Sequence, residues 1–407
     1  MTRPALAPIP ASERWLLLTL GAINFTHILD FMIMMPLGPQ FTALFGISDA
    51  KFGLLVSAYT LAAGASGLVA TTYIDRFERK SLLLALYAAF GLATLACGLA
   101  PTFGSLMAAR IAAGVFGGVM GALVQTIVGD AIPFERRGRA MGVVMGSFSI
   151  ATVAGVPASL LLANTLGWHA PFFAIAGLCL AVGAVGLRAL PRLAGHLHAG
   201  QRASPLHSLR AVLRDANHWR AFGFTMLVMS AGFSIIPYIT IYATANVGVS
   251  AQQVPLIYLA GGVTTLFTAQ LWGRLSDRWG KVPTFRLLAL ASMVPMLALT
   301  NLPAVPLWAL VSVTTLFFIF VSGRMVPSMA IVTSATQPAL RGTFMSLNSA
   351  MQSAAMGAAA FVGGLLIDRD GAGHVTGYPG AGWLSVVLTL AAVAWVGQLK
   401  LNTAPAH

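Results

Sequence analysis

Twelve times along 407 residues the sequence runs apolar for about 20 residues and then breaks into Gly, Pro and charge. The stretches fall at roughly residues 14–38, 50–73, 81–100, 105–129, 139–162 and 170–190, then 219–243, 253–274, 283–300, 306–330, 343–367 and 380–399. A helix of about 20 apolar residues crosses a hydrocarbon core of about 30 Å, and in lipid each spanning helix must satisfy its own backbone. The rhythm therefore predicts an all-α membrane protein with twelve transmembrane helices. Composition agrees: 57 % of residues are hydrophobic and only 9 % charged, where a soluble domain carries about 25 % charge. Soluble enzymes and secreted domains are excluded. Cys97 and Cys179 both lie in apolar stretches, so neither a disulfide framework nor a metal cluster is expected. The first stretch is too long for a signal-peptide core, so it is expected to be retained as a helix.

Charge then fixes organisation. The longest polar segment, 191–218, separates six stretches from six. It predicts a six-helix bundle over 1–190, a cytoplasmic linker over 191–218 and a second bundle over 219–407. A short amphipathic helix is expected near Ser204–Arg214, at the membrane surface. If the N-terminus is cytoplasmic, twenty Lys and Arg fall on that side. Only Lys51 and Arg369 fall on the other, with Arg110 and Arg324 inside spans. This is the positive-inside pattern. It predicts both termini in the cytoplasm of a bacterial inner-membrane protein, and it explains the net charge of +13 without nucleic acid.

The halves also repeat. Asp75-Arg76 after span two recurs as Asp277-Arg278 after span eight, an offset of 202 residues, and Arg137-Gly138 recurs as Arg341-Gly342 at 204. Parallel repeats of this kind place a substrate site near the bilayer midplane between the halves. Gly273-Arg274-Leu275-Ser276-Asp277-Arg278-Trp279-Gly280-Lys281 resembles the loop signature of the major facilitator superfamily. In the first copy Thr71 and Glu78 stand where that signature has glycines. Leu106-x-x-x-Arg110-x-x-x-Gly114 is similar to the basic fourth-helix motif of proton-coupled members. Gly146 and Gly155-Val156-Pro157 in span five, with Leu166-Gly167-Trp168-His169 beyond, resemble drug:proton antiporters of the arabinose-efflux-permease-like branch. The resemblance implies twelve helices in two pseudo-symmetric bundles and proton-driven export.

An ionisable group inside a span points to function, since burying it costs at least about 2.5–3.5 kcal/mol. Asp30 is the one acid deep within a predicted span. With a rise of 1.5 Å per residue, Asp30 lies about 24 Å from the edge marked by Arg14, and Arg110 about 30 Å from the edge marked by Asp130. They are expected to pair, with Asp30 exchanging the proton and Arg110 supplying the counter-charge. The bland alternative is a static bridge fixing helix packing. His27 and Asn24 share a broad face with Asp30, as relay or substrate groups. For His27 a hydrogen-bonded core role is the simpler reading.

The resemblance also assigns Asp75, Arg79 and Asp130, with Asp277 and Lys281 as second-half counterparts, to a cytoplasmic gate in which loop acids face helix ends of the other half. Ser334 stands where Asp130 would repeat. Gly146 and Gly155 are expected to let helices approach, and Pro157 to bend span five. Phe31, Met34, Phe233, Tyr238, Tyr242, Gln270, Asn348 and Gln352 are candidate lining residues of a cavity between the halves. Arg324 would meet an anionic substrate group, an inner gate, or a structural partner near Asp277. The expected function is proton-coupled efflux of small neutral or amphiphilic molecules such as drugs, metabolites or sugars. It would use the proton-motive force with no cofactor or metal, in a monomer. A proton-coupled symporter and a non-transporting membrane sensor are the alternatives. An enzyme is not expected, because no P-loop, GxSxG or HExxH pattern occurs.

Overall fold

A computed structural model describes residues 11–193, 205–337 and 340–401. Among these residues twelve helices are long and apolar enough to cross a membrane, so this is a multi-pass membrane protein. Spans one to six are Glu13–Ile33, Asp49–Ala70, Arg79–Gly98, Phe103–Ala131, Ala140–Leu166 and Ala170–Ala189. Spans seven to twelve are Ala216–Val247, Val254–Trp279, Lys281–Thr300, Leu307–Ser334, Arg341–Leu366 and Tyr378–Gln398. Side chains cap the starts of spans two, three, four and seven and so satisfy orphan N–H groups of their first turns. Ser48 accepts from the Lys51 N–H, Asp215 from Asn217, and Thr102 and Ser105 form a reciprocal capping box.

Packing follows the sequence repeat. In the first half, span one contacts five and six, two contacts four, and three contacts four and six. In the second half, span seven contacts eleven and twelve, eight contacts ten, and nine contacts ten and twelve. The halves meet along two seams, span two on eleven and span five on eight.

The two copies of the basic loop make the same turn differently. Gly280 adopts φ +93°, which a side chain would resist, whereas Glu78 at the same repeat position keeps φ −62°. The Glu78 carboxylate accepts from the Lys80 and Ser81 N–H groups, and from that of Leu193. Span three therefore begins with a side-chain cap, and the glycine missing from the motif is not needed.

Three features depart from the expected layout. Span one ends at Ile33, and a turn containing Pro36 leads into a short helix, Gly38–Phe45. Residues 151–155 of span five form a π turn just ahead of Pro157; the missing N–H of proline is absorbed by widening the helix. Beyond span eleven, Asp368–Arg369 pairs antiparallel with Val375–Thr376 in a small hairpin. The expected linker helix is present at Pro205–Arg214, and its Val212 is buried against Phe222 and Phe344 of the second half.

We call the end carrying the loops after spans two, four, eight and ten the basic end, and the opposite one the far end. At the far end the halves are bonded together. Arg369 grips Asp49 with Nε–Oδ2 at 2.9 Å and Nη2–Oδ1 at 3.1 Å, and Asn164 Nδ2 donates to the Ala251 carbonyl at 2.7 Å. Deeper in, Ser57 Oγ donates to the Gly357 carbonyl at 2.6 Å. Span two comes this close because Gly53 has no side chain: a Cβ there would collide with the Tyr238 hydroxyl and the Ala360 carbonyl.

Candidate functional site

Asp30 and Arg110 form a fully buried ion pair. Arg110 Nη1 lies 2.7 Å from Asp30 Oδ2, and both side chains are 0 % exposed. The same Nη1 reaches the Asp30 carbonyl at 3.3 Å, and Thr94 Oγ1 donates to Asp30 Oδ1 at 3.3 Å. Among the described residues Arg110 Nε and Nη2 have no hydrogen-bond partner. One face of the guanidinium instead meets an aromatic ring, with Cζ 4.4 Å from the Tyr59 centroid. Such a contact stabilises a cation by up to about 2 kcal/mol when desolvated.

The ring continues toward the other half. Tyr59 stacks on Phe31 at 5.5 Å between centroids, and Phe31 stacks on Phe233 of span seven at 6.1 Å. The buried pair is thus joined by touching side chains to the boundary between the bundles. Span four can lie this close because it presents glycine: at Gly117 a Cβ would meet the Tyr59 hydroxyl at 2.6 Å and His27 Cδ2 at 2.8 Å.

The neighbours of Asp30 on span one divide. His27 lies 6.0 Å from the Phe90 ring and 6.3 Å from that of Tyr59, and its Nδ1 is buried without a partner. Among the described residues no hydrogen bond joins it to Asp30, so a direct relay is not formed here. Asn24 Nδ2 donates to Ser147 Oγ at 2.8 Å and ties span one to span five.

The described gate residues make contacts inside their own halves. Arg79 Nε bonds Asp130 Oδ2 at 3.3 Å and its Nη1 bonds the Ile74 carbonyl at 2.9 Å, all within the first half. Lys281 Nζ donates to Ser334 Oγ at 2.9 Å within the second. The repeat positions thus make the same contact in each bundle, with a hydroxyl in place of the second carboxylate. Asp277 is exposed and holds no ion pair among the described residues. The Asp75 side chain lies outside the described residues. These contacts brace each half from within, in an arrangement closed at the far end; the expected clasp belongs to the arrangement closed at the basic end.

Among the cavity candidates, Asn348 and Gln352 line a space of about 250 Å³ with Thr225, Met229 and Met325. Asn348 Oδ1 accepts from Thr225 Oγ1 at 2.7 Å. This space belongs to spans seven, ten and eleven, within the second half and toward the basic end. Tyr238 does not line it: its hydroxyl bonds the Ala360 carbonyl and its ring meets Phe52 at the far end. Tyr242 bonds the Leu302 carbonyl at 2.9 Å. Met34 is fully buried in the turn after span one, and Gln270 is exposed on span eight.

Arg324 is not at the end of its helix but ten residues before Ser334, about 15 Å deep. It bonds neutral groups of spans seven, nine and twelve, not a partner near Asp277. Gly155 packs on span one, where a Cβ would stand 2.9 Å from Leu29 Cδ1. A Cβ on Gly146 would meet nothing within 4 Å, so close packing does not explain that residue.

The Major Facilitator Superfamily model matches residues 20–245 and again 221–405. The chain belongs to the major facilitator superfamily. Among its relatives, a chloramphenicol resistance protein of Streptomyces lividans is 28 % identical over 380 residues, 92 % of this chain and 94 % of the relative. A chloramphenicol efflux pump of Mycobacterium tuberculosis is 27 % identical over 239 residues, 58 % of this chain and 56 % of that one. The fold is similar to the crystal structure of a D-xylose–proton symporter, with a TM-score of 0.76 at 16 % identity, covering 96 % of this chain and 98 % of that one.

In this superfamily member two residues of the buried site escaped the sequence reading, Tyr59 and Thr94. Both lie level with Asp30, but an uncharged residue at that depth is not marked out as a charge is. Tyr59 lies 16 residues from Asp75 and Thr94 lies 15 from Arg79, so each falls about 22–24 Å from the basic end, level with Asp30.

Proposed function

We propose that this transporter is a proton-coupled exporter. It exchanges protons for small neutral or amphiphilic molecules by alternating access across a bacterial inner membrane, as a monomer with both termini in the cytoplasm. The observation that carries the reading is the isolated Asp30–Arg110 pair. Two charges this deep are retained at high desolvation cost, and the carboxylate is the group that can take up and release a proton. When Asp30 is ionised it holds Arg110. When it is protonated, the attraction between full charges is lost, while the Tyr59 face and the Asp30 carbonyl remain. The imbalance then falls on Tyr59, Phe31 and, through Phe233, the second half.

Two relatives named for chloramphenicol resistance and efflux support an outward direction and a neutral, amphiphilic cargo. The amide and hydroxyl groups of Asn348, Gln352 and Thr225 among Met and Phe side chains suit such a molecule. One proton moving inward through 100 mV releases about 2.3 kcal/mol, enough for a roughly fifty-fold gradient of a neutral solute.

The test is transport of labelled chloramphenicol by the full chain in energised inside-out vesicles. Proton-dependent accumulation is expected, and Asp30→Asn should abolish it while leaving the protein inserted. Accumulation in the opposite sense would establish a symporter instead, and unchanged transport by Asp30→Asn would remove the pair from the mechanism.

A further inference from the structure

Arg324 is the second guanidinium buried in the spanning layer, and it has no carboxylate. It is 1 % exposed. Its Nη1 donates to Thr389 Oγ1 at 3.0 Å and to Ser292 Oγ at 3.4 Å, its Nη2 reaches the Val228 carbonyl at 3.4 Å, and its Nε has no partner. Among the described residues it forms no ion pair. Two hydroxyls and a carbonyl, mostly at long range, do not neutralise a buried cation. Thr389 accepts from Arg324, and its own hydroxyl proton has no acceptor among the described residues.

The repeat shows what is missing. The 202-residue offset that carries Asp75 onto Asp277 also carries Phe31 onto Phe233, which stack on one another. It carries Asp30 onto Gly232. A Cβ built on Gly232 would stand 3.8 Å from Arg324 Nη2, with its nearest other neighbour, Ile236 Cδ1, at 3.5 Å. Where the first half presents the carboxylate that pairs with Arg110, the second half presents a glycine beside a guanidinium, with no carboxylate between them. Arg324 is not the repeat of Arg110, whose position at the 204-residue offset is Thr314. It reaches Gly232 from farther along span ten.

We propose that this place binds a small monovalent anion, held by the Arg324 guanidinium and the Thr389 hydroxyl beside Gly232. The ligand supplies the negative charge that Asp30 supplies in the other half. The shared chemistry is one negative charge accepting N–H and O–H bonds. Its two sources are chloride from solution and the carboxylate of a transported acid. Enclosure by spans seven, nine, ten and twelve selects for small size.

The test uses the purified full-length protein in detergent, titrated at constant ionic strength with sodium chloride, sodium acetate or sodium gluconate, the last too bulky for the space. Chloride is expected to raise the melting temperature saturably, by about 2 °C or more over gluconate. The shift should vanish in Arg324→Gln. It should vanish also in Gly232→Asp, which carries its own carboxylate and should melt in gluconate at least as high as the wild type does in chloride. A response to chloride but not acetate assigns the site to a bound halide. A response to acetate, with labelled acetate taken into vesicles by the wild type and not by Gly232→Asp, assigns it to a transported acid. A wild-type melting temperature indifferent to all three anions overturns the proposal, whether or not either variant folds.

Discussion

Arg110 Cζ lies 4.4 Å above the Tyr59 ring, while the Tyr59 hydroxyl has no hydrogen-bond partner. The face of the ring, not the oxygen, therefore meets the charge. Tyr59→Phe should transport like the wild type. Tyr59→Leu should lose about 2 kcal/mol of cation stabilisation, seen as a roughly 10–30-fold fall in proton-driven chloramphenicol transport in vesicles. Equal defects in the two variants would count against the ring as the connection.

Arg110→Lys separates charge from shape. A lysine keeps the positive charge but loses the planar fork that reaches the carboxylate and faces the ring together. Protein should still accumulate in the membrane, with efflux down by roughly tenfold, about 1.4 kcal/mol. The measurement is initial rate against imposed pH gradient. A wild-type rate at every gradient would show that charge alone suffices.

The Asp49–Arg369 pair closes the far end from a loop, with Asp49 2 % and Arg369 41 % exposed. Half-sheltered and bidentate, it is worth about 1–2 kcal/mol, between an exposed pair and a charge-assisted bond. Asp49→Asn should therefore shift the population toward far-end opening by roughly 5–30-fold. Phe52 is buried beneath this closure and the native cysteines are buried too. In a Phe52→Cys background, labelling by an impermeant maleimide should accelerate when Asp49→Asn is added, and slow again when the charges are exchanged as Asp49→Arg with Arg369→Asp.

Glu78 gives a pH signature outside the membrane. Partial burial works against its charge, but hydrogen bonds from the Leu193 N–H, the Ser81 hydroxyl and N–H, and the Lys80 N–H outweigh it and bring the carboxyl from 4.5 down to about 2. A lowered carboxyl stabilises the folded form above the unfolded value, and the contribution is lost as pH falls through the folded one. The melting-temperature gap between wild type and Glu78→Gln should be full above about pH 5 and shrink as the pH falls toward 2. A gap that stays constant over that range would assign the effect to shape, not charge.

The spans were legible because lipid imposes one solution on the backbone, so a run of apolar residues between charged breaks is already a helix. Asp30 with Arg110 was legible for a related reason: charges are so rare inside the spans that depth alone pairs them. Contacts made by ordinary residues were not. Nothing in the sequence distinguishes Tyr59 or Phe233 from aromatic filler, and Arg369 reads as a stray far-side charge until the hairpin brings it to Asp49. For the basic-end loops the repeat was visible while the partners were not. A motif repeated in both halves fits a brace within each as well as a clasp between them.

The far-end seam is built partly from missing atoms. At Gly53, which receives the Tyr238 hydroxyl, and again at Gly357, where a Cβ would crowd Thr60 Oγ1 at 2.7 Å and Leu61 Cγ at 2.8 Å, a side chain of one half fills the hollow that a glycine of the other leaves. Such a surface has no room for a further atom while it is closed. A single added methyl group there acts as a doorstop against this closed conformer, so alanine at either glycine should hold the transporter with its far end ajar.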